Sequence, residues 1–466
     1  MSASLEDQTP SEELKAKEKT MGLSIKEGSF AGISLTFGDN FIIPYALSLQ
    51  ATSIQVGVLS SLVGIISPTA QIYGSHLMER HSRKRILVMG VLFQALMWIS
   101  FISLALLFIN NISIAALPIL LIVFYMIYLI FGNIAGPSWM TLLGDIVPED
   151  HRGRYFAKRS LITTAIALFG TIIVSLVLDN FKALGMVLNG FIIIFIVALF
   201  CRSTSSVLLS KHYDPPLELE KKIHISLWQF IKDIPKENFG RFTLYVALIN
   251  FGQMIAGPFF SVYMLKELDF DYTIFIIINL SASFVGLLIF PLLGRFSDKF
   301  GNILMLRLSS IALPIIPIIW MFFNTPITII FGPQLLSGLG WTAFNLAASN
   351  FIYDSIPSQR RGFYVAYYNF ILGIGIFCGG LVGSYIISFS ITFMNQFHFV
   401  FLISGVVRAV AIVIFLFRIK EVRQVYGINW HFYFWRFNVH RFLYWNFGRK
   451  PTKRRTKNDD LMESKE

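Results

Sequence analysis

The chain has 466 residues, of which 55% are hydrophobic and only 14% charged, and its mean hydropathy is +0.64. A water-soluble globular protein carries about 25% charged residues, so soluble enzymes and binding modules are excluded and a chain dissolved in lipid is implied. The net charge of +12 needs no nucleic-acid partner, because the placement of basic residues in loops accounts for it.

Residues 1–25 are polar and mixed in charge, with Glu6, Asp7, Glu12, Glu13, Lys15, Lys17 and Lys19. No basic-then-apolar leader precedes a cleavage site, so this segment reads as a flexible cytosolic tail. Twelve apolar runs follow, at about 28–49, 53–77, 86–109, 114–143, 160–178, 184–203, 242–265, 272–293, 303–323, 327–352, 363–389 and 396–417. Each is close to the ~20 residues that cross a hydrocarbon core of ~30 Å. They are expected to be helices, since lipid offers no partner to an unpaired backbone group. The ~10-residue alternating segments of a membrane β-barrel are absent.

The first run holds Phe37-Gly38-Asp39-Asn40, then Pro44. A carboxylate at that depth costs about 2.5–3.5 kcal/mol on translocon scales, so Asp39, with Asn40 beside it, is a candidate for proton or substrate binding. The alternative is a structural carboxyl bonded to a neighbouring helix. The seventh run repeats the pattern as Phe251-Gly252-Gln253, then Pro258, with an amide in place of the acid.

The turn after the second run is Ser75-His-Leu-Met-Glu79-Arg80-His-Ser82-Arg83-Lys84-Arg85. Its counterpart after the eighth is Gly294-Arg-Phe-Ser-Asp298-Lys299-Phe-Gly301-Asn302. Acid, base and small residue suit a tight turn between antiparallel helices, and Gly301 can supply positive φ there. A second duplication follows the fourth and tenth runs. Asp145-Ile-Val-Pro148, Arg152-Gly153 and Tyr155 match Asp354-Ser-Ile-Pro357, Arg361-Gly362 and Tyr364 in the same register. Fixed-offset similarity reports duplicated architecture. Basic residues crowd these loops, whereas the opposite loops carry little beyond Lys182 and Lys266. By the positive-inside rule the basic side, with both termini, is cytoplasmic.

These turns resemble the Gly-x-x-x-Asp-Arg-x-Gly-Arg-Lys signature of the major facilitator superfamily over roughly residues 25 to 418. The first copy departs from it at Ser75, Glu79 and Ser82. The resemblance implies an all-α integral membrane fold of twelve transmembrane helices in two pseudo-symmetric six-helix bundles. The bundles are expected at 26–203 and 241–418, with a cytosolic linker at 204–240 and an amphipathic aromatic, basic tail at 419–466. It further implies contacts of Glu79 with the helix start near Arg361 and Gly362, and of Arg83 with Asp145. Arg80, Arg152, Asp298, Lys299 and Asp354 join these in an expected cytoplasmic gate. Helix-terminus electrostatics agree, because a carboxylate suits a helix N-terminus and a cation suits a C-terminus.

In that family helices one, four, seven and ten enclose a central cavity. This implies substrate roles for Asn133 and Trp139, Asn250 and Gln253, and Trp341 and Asn345, although polar residues also serve as interhelical hydrogen-bonding groups. The fifth run lacks the Gly-Pro pattern of many proton-coupled exporters. Run eleven holds Gly373, Gly375, Gly379, Gly380 and Gly383, expected to allow close helix packing. Arg408 lies inside the twelfth run, where a structural pair is the favoured reading. The tail around Trp430, Trp435, Arg436 and Trp445 suits a membrane surface.

Cys201 and Cys378 show neither zinc nor disulfide spacing, and no phosphate loop or nucleophile elbow occurs. The expectation is therefore a monomeric, multi-pass cell-membrane carrier of a small organic solute. It would use no cofactor or metal, have no enzymatic activity, and take the proton as coupling ion through Asp39. An uncoupled facilitator and a non-transporting membrane sensor are the alternatives.

Overall fold

The computed structural model describes residues 10–112, 114–148, 152–215, 227–234, 236–356, 358–389, 392 and 394–422. The aromatic, basic tail beyond 422 lies outside the described residues, as do 216–226 of the linker and the side chains of Arg152 and Arg361.

Every regular element among the described residues is helical. The first half contains α1 (Pro10–Phe37), α2 (Ile42–Ser48), α3 (Ser53–Leu77), α4 (Arg83–Ile109), α5 (Leu117–Ile146), α6 (Arg152–Ala183) and α7 (Val187–Ser210). A short α8 (Leu227–Asp233) leads to the second half: α9 (Asn238–Val262), α10 (Tyr272–Phe300), α11 (Asn302–Trp320), α12 (Pro326–Ile329), α13 (Leu335–Ser355), α14 (Ser358–Ile386) and α15 (Gln396–Phe415). A π-helical segment, Ile330–Gln334, splices α12 to α13 around Pro333. Eleven helical stretches among the described residues are long and apolar enough to cross a membrane. The protein is a multi-pass membrane protein.

The first helix is the exception, and its break is chemical. Helical geometry fails at Gly38 (φ −120°, ψ −78°), a 3₁₀ turn covers Asp39–Phe41, and α2 resumes at Ile42. The buried indole of Trp98 on α4 occupies the space that a Cβ at Gly38 would fill. Pro44 then removes one backbone donor from α2. The expected flexible tail is corrected at its C-terminal end. Helix α1 begins at Pro10, and Thr20, Ser24 and Glu27 are buried in the bundle. Their polar side chains made a packed helix read as a solvated one.

Within the first half α1 packs on α6 and α7, α4 on α5 and α7, and α3 on α5. The second half repeats the scheme, with α9 on α14 and α15, α11 on α13 and α15, and α10 on α13. The most extensive contacts between the halves are those of α3 with α14 and of α6 with α10, each the other's image under the pseudo-symmetry. Aromatic residues fill both interiors. Trp98, Phe101, Phe195 and Tyr45 interlock in one, and Phe242, Phe351 and Tyr368 in the other. Lipid tails are as apolar as these rings, so the halves cohere through close packing and not through burial from water.

Glycine sets that closeness on α14. Gly375, Gly379 and Gly383, four apart, lie against the backbone carbonyls of Ala247, Phe251 and Ile255 on α9. Gly373 and Gly380, seven apart, face Gly64 and Ser61 on α3. One helix thus presents one small-residue face to its own half and another to the opposite half. Gly301, at φ +91°, makes the turn from α10 to α11.

Candidate functional site

Arg83, Asp145, Asn302 and Asp354 mark one end of the molecule, here the basic end; the other is the far end. At the far end the halves are latched together. The Asp179 carboxylate on α6 accepts the backbone N–H groups of Tyr272 and Thr273 at 2.7 and 2.9 Å, capping α10 of the opposite half. Lys182 reaches Asp269 and Asp271 at 3.4 and 3.2 Å. The Lys266 ammonium donates to the Ala51 carbonyl at 2.9 Å, and Ser48 meets the Tyr272 hydroxyl at 3.4 Å. Below these, α3 and α14 touch from Gly57 opposite Ser384 down to Gly64 opposite Gly373. A Cβ at Gly64 would strike the other half, whereas one at Gly136 or Gly294, nearer the basic end, would meet nothing within 4 Å.

At the basic end Arg83, almost wholly buried, donates to Asp145 at 2.5 Å, to Asp214 at 2.8 Å and to the Pro215 carbonyl at 2.8 Å. This clamp ties α4 to the end of α5 and to the segment after α7, all within the first half. In the second half Asn302 donates to Asp354 at 2.6 Å and accepts from Ser297. Lys299 lies over the Phe300 ring, while Glu79 and Arg80 are exposed.

The larger cavity, about 390 Å³, lies inside the second half among α9, α10, α11, α13 and α15. Four sequence candidates converge on it: Asn250, Gln253, Trp341 and Asn345. Gln334, another amide of the tenth run, lines it too, as do Asn279, Trp320 and Arg408, to which sequence reading assigned no substrate role. Arg408 is 1% exposed. The signal for it is a lone cation within an apolar run, which sequence alone reads more readily as one member of a structural pair.

The other four candidates do not meet there. Tyr128 donates to the Asp39 carboxylate at 2.6 Å, beside the break in the first helix. Asn40 is exposed. Asn133 accepts from Gln71 at 3.1 Å and donates to the Leu129 carbonyl at 2.8 Å, an interhelical role. Trp139 lies under the Arg159 guanidinium, 4.7 Å from carbon to ring centroid, and both line a second cavity of about 250 Å³.

That second cavity has a charged wall. Glu27, 3% exposed, accepts from Arg159 at 3.3 Å and from Ser205 at 2.9 Å. Arg202 donates to the Gln94 side-chain carbonyl through two nitrogens, at 2.9 and 2.6 Å. None of this network was singled out as a site from sequence. Glu27 lies at the edge of the expected tail, and Arg159 stands just before the fifth apolar run, where a charge reads as a loop cation. Next to it His212 is 1% exposed with neither ring nitrogen hydrogen-bonded among the described residues. Burial, with Lys84 and Arg159 nearby, pushes its pKa down to about 4. No cluster of metal-ligating side chains occurs among the described residues.

A family model described as the Major Facilitator Superfamily matches residues 29–371 and, in a second match, 242–429. A curated relative from Schizosaccharomyces pombe, Uncharacterized transporter C460.03, is 29% identical over 112 residues, which span 23% of this chain and 20% of that protein. Among solved structures, a mutant of the nucleoside transporter NupG is similar with TM-score 0.65 at 14% identity, covering 87% of this chain and 100% of that one. A bacterial homologue of the iron transporter ferroportin matches in its inward-facing state with TM-score 0.62 at 16% identity, covering 89% and 100% of the two chains. Its outward-facing state matches with TM-score 0.53 at 15% identity, covering 85% and 98%.

Proposed function

The chain belongs to the Major Facilitator Superfamily, and from that premise we propose that it is a secondary transporter moving a small organic solute by alternating access. The one-sided latch carries this reading. Hydrogen bonds, ion pairs and glycine contacts bridge the halves at the far end, while the space around Gly136 and Gly294 is open. With the basic end placed in the cytoplasm by the positive-inside rule, this is an inward-facing state. The better superposition on an inward-facing relative supports that assignment. The first helix supplies a twelfth crossing, broken at Gly38, and discontinuous helices near mid-membrane are a recurrent feature of transporters.

Proton coupling through Asp39 is part of the proposal. The carboxylate sits at a helix break with one strong donor, Tyr128, so gain of a proton alters a contact between the first helix and α5. The second reading is an uncoupled facilitator, favoured by the same hydrogen bond if it simply anchors the break. Purified protein in sealed liposomes, given a proton gradient and a mixed solute pool followed by mass spectrometry, separates the two. Gradient-driven accumulation by wild type that is lost in Asp39→Asn is the expected result. Accumulation unchanged in Asp39→Asn removes the coupling role, and gradient-independent equilibration establishes the facilitator.

A further inference from the structure

The second half has no carboxylate within its membrane-spanning depth. Between Asn238 and Glu421 every Asp and Glu lies at or beyond a helix end: Glu267, Asp269, Asp271, Asp298 and Asp354. Arg408 nevertheless stands in mid-helix on α15, buried. Its Nη1 donates to the Leu313 carbonyl at 2.7 Å. That carbonyl is free because residue 317, which would bond to it in an α-helix, is proline and lacks an N–H. One of five guanidinium protons is thereby used. Nε is buried with no partner, and no carboxylate among the described residues reaches the group. The charge is not an accident of packing either. Gly252 makes room for its aliphatic stem, since a Cβ there would lie 2.8 Å from the Arg408 Cγ.

A buried cation without a counter-charge is strongly disfavoured. Arg408 faces a cavity whose other polar walls are neutral amides and the hydroxyls of Ser261 and Ser337. The Gln253, Gln334 and Asn345 side chains there have no hydrogen-bond partner among the described residues, so their amide N–H groups are available. The Trp341 ring lies 5.9 Å from the guanidinium carbon and offers an apolar wall beside the charge.

We propose that this cavity is a binding site for the anionic group of an organic solute, a carboxylate or phosphate paired with Arg408 and its apolar part set against Trp341. The guanidinium supplies charge and paired donors, and the amides complete the shell. The inference rests on the transporter reading for its biological use, but binding can be measured without flux.

The test uses the full-length purified protein in detergent, with benzoate and phenyl phosphate as anionic probes and benzyl alcohol and benzylamine as neutral and cationic controls. Quenching of tryptophan fluorescence reports occupancy, since Trp320 and Trp341 line the cavity. Saturable binding of at least one anion is expected, at least tenfold tighter than either control. Binding should fall at least tenfold in Arg408→Gln and less in Arg408→Lys. If Arg408→Gln fails to fold, as judged by thermal unfolding, Asn345→Leu and Gln253→Leu replace it, each with a severalfold loss for anions alone. Equal binding of all four probes, no anion binding, or anion binding indifferent to residues 408, 345 and 253 would overturn the proposal. Anion binding without flux in liposomes upholds this site and counts against the transporter reading. Flux confined to neutral or cationic solutes, without anion binding, does the reverse.

Discussion

Asp179 and Tyr272 belong to opposite halves of the molecule, yet the carboxylate of the first accepts the backbone N–H of the second at 2.7 Å. A helix N-terminus carries unpaired donors and a partial positive charge, so Asp179 completes α10 only while the far end is shut. Removing such a cap costs about 1 kcal/mol, a shift of roughly fivefold between the two facing states. Asp179→Ala is therefore expected to raise far-side access. With Cys201 and Cys378 replaced by serine and a cysteine introduced by Ser261→Cys in the cavity wall, an impermeant maleimide should label the Asp179→Ala variant several times faster from that side.

Gly64 and Gly373 test the same closure by shape instead of charge. A Cβ at Gly373 lands on the Gly64 carbonyl, a backbone atom that cannot rotate away. Gly373→Leu should hold α3 and α14 apart, leave the far end open and abolish transport. Gly294→Ala, where a Cβ meets nothing within 4 Å, should transport normally. Labelling rates and liposome flux measured together distinguish a jammed carrier from an unfolded one.

The Glu27–Arg159 pair predicts a pattern of stabilities. Removing one member of a buried ion pair costs about 3–5 kcal/mol, whereas an apolar replacement of both is often neutral. Arg159 also donates to the Ser24 carbonyl at 3.3 Å and stacks on Trp139. Glu27→Leu and Arg159→Leu alone should each lower the melting temperature in detergent markedly, and the double variant should regain most of the loss. Simple additivity of the two losses would show that the charges do not act as a pair.

His212 makes stability depend on pH in a stated direction. Its folded pKa, about 4, lies below the ordinary 6.5. The unfolded chain therefore takes up the proton first as pH falls, and stability declines through the window from about 6.5 to 4. Each pKa unit is worth about 1.4 kcal/mol, so the decline attributable to this group approaches about 3 kcal/mol. His212→Phe should melt more evenly between pH 7.5 and 5 than wild type. Parallel melting curves for the two proteins across that range would remove His212 from the account.

Hydropathy made the membrane class legible, because lipid imposes one rule on every span, and of its twelve apolar runs eleven are unbroken enough to stand as crossings among the described residues. The duplicated halves were legible in the repeated turns. The pairing of Phe37-Gly38 with Phe251-Gly252 was legible too, though not its meaning. Each glycine receives a large side chain, Trp98 in one half and Arg408 in the other, from a helix distant in sequence. The second-half cavity was half visible. Asn250, Gln253, Trp341 and Asn345 stood out as polar or amphipathic groups in apolar runs, but so did Asn133, which only joins α3 to α5. Nothing in a one-dimensional pattern says whether an amide faces a helix or a cavity. The charged wall of the first half was hidden for a different reason. Glu27 and Arg159 lie near the ends of apolar runs, where hydropathy cannot separate a buried pair from two solvated loop charges.

The lack of acids at membrane depth in the second half has an electrical consequence. With Arg408 unpaired, the second half of the empty carrier holds one uncompensated positive charge well inside the membrane, and rocking that half moves the charge through part of the transmembrane field. A full elementary charge crossing 100 mV is worth about 2.3 kcal/mol. A monovalent anion seated on Arg408 cancels this sensitivity. Clamping the membrane voltage should therefore change the rate at which the empty protein resets and leave the loaded step nearly untouched. Exchange of solute for solute, in which the carrier never returns empty, should accordingly be the voltage-insensitive mode of this protein.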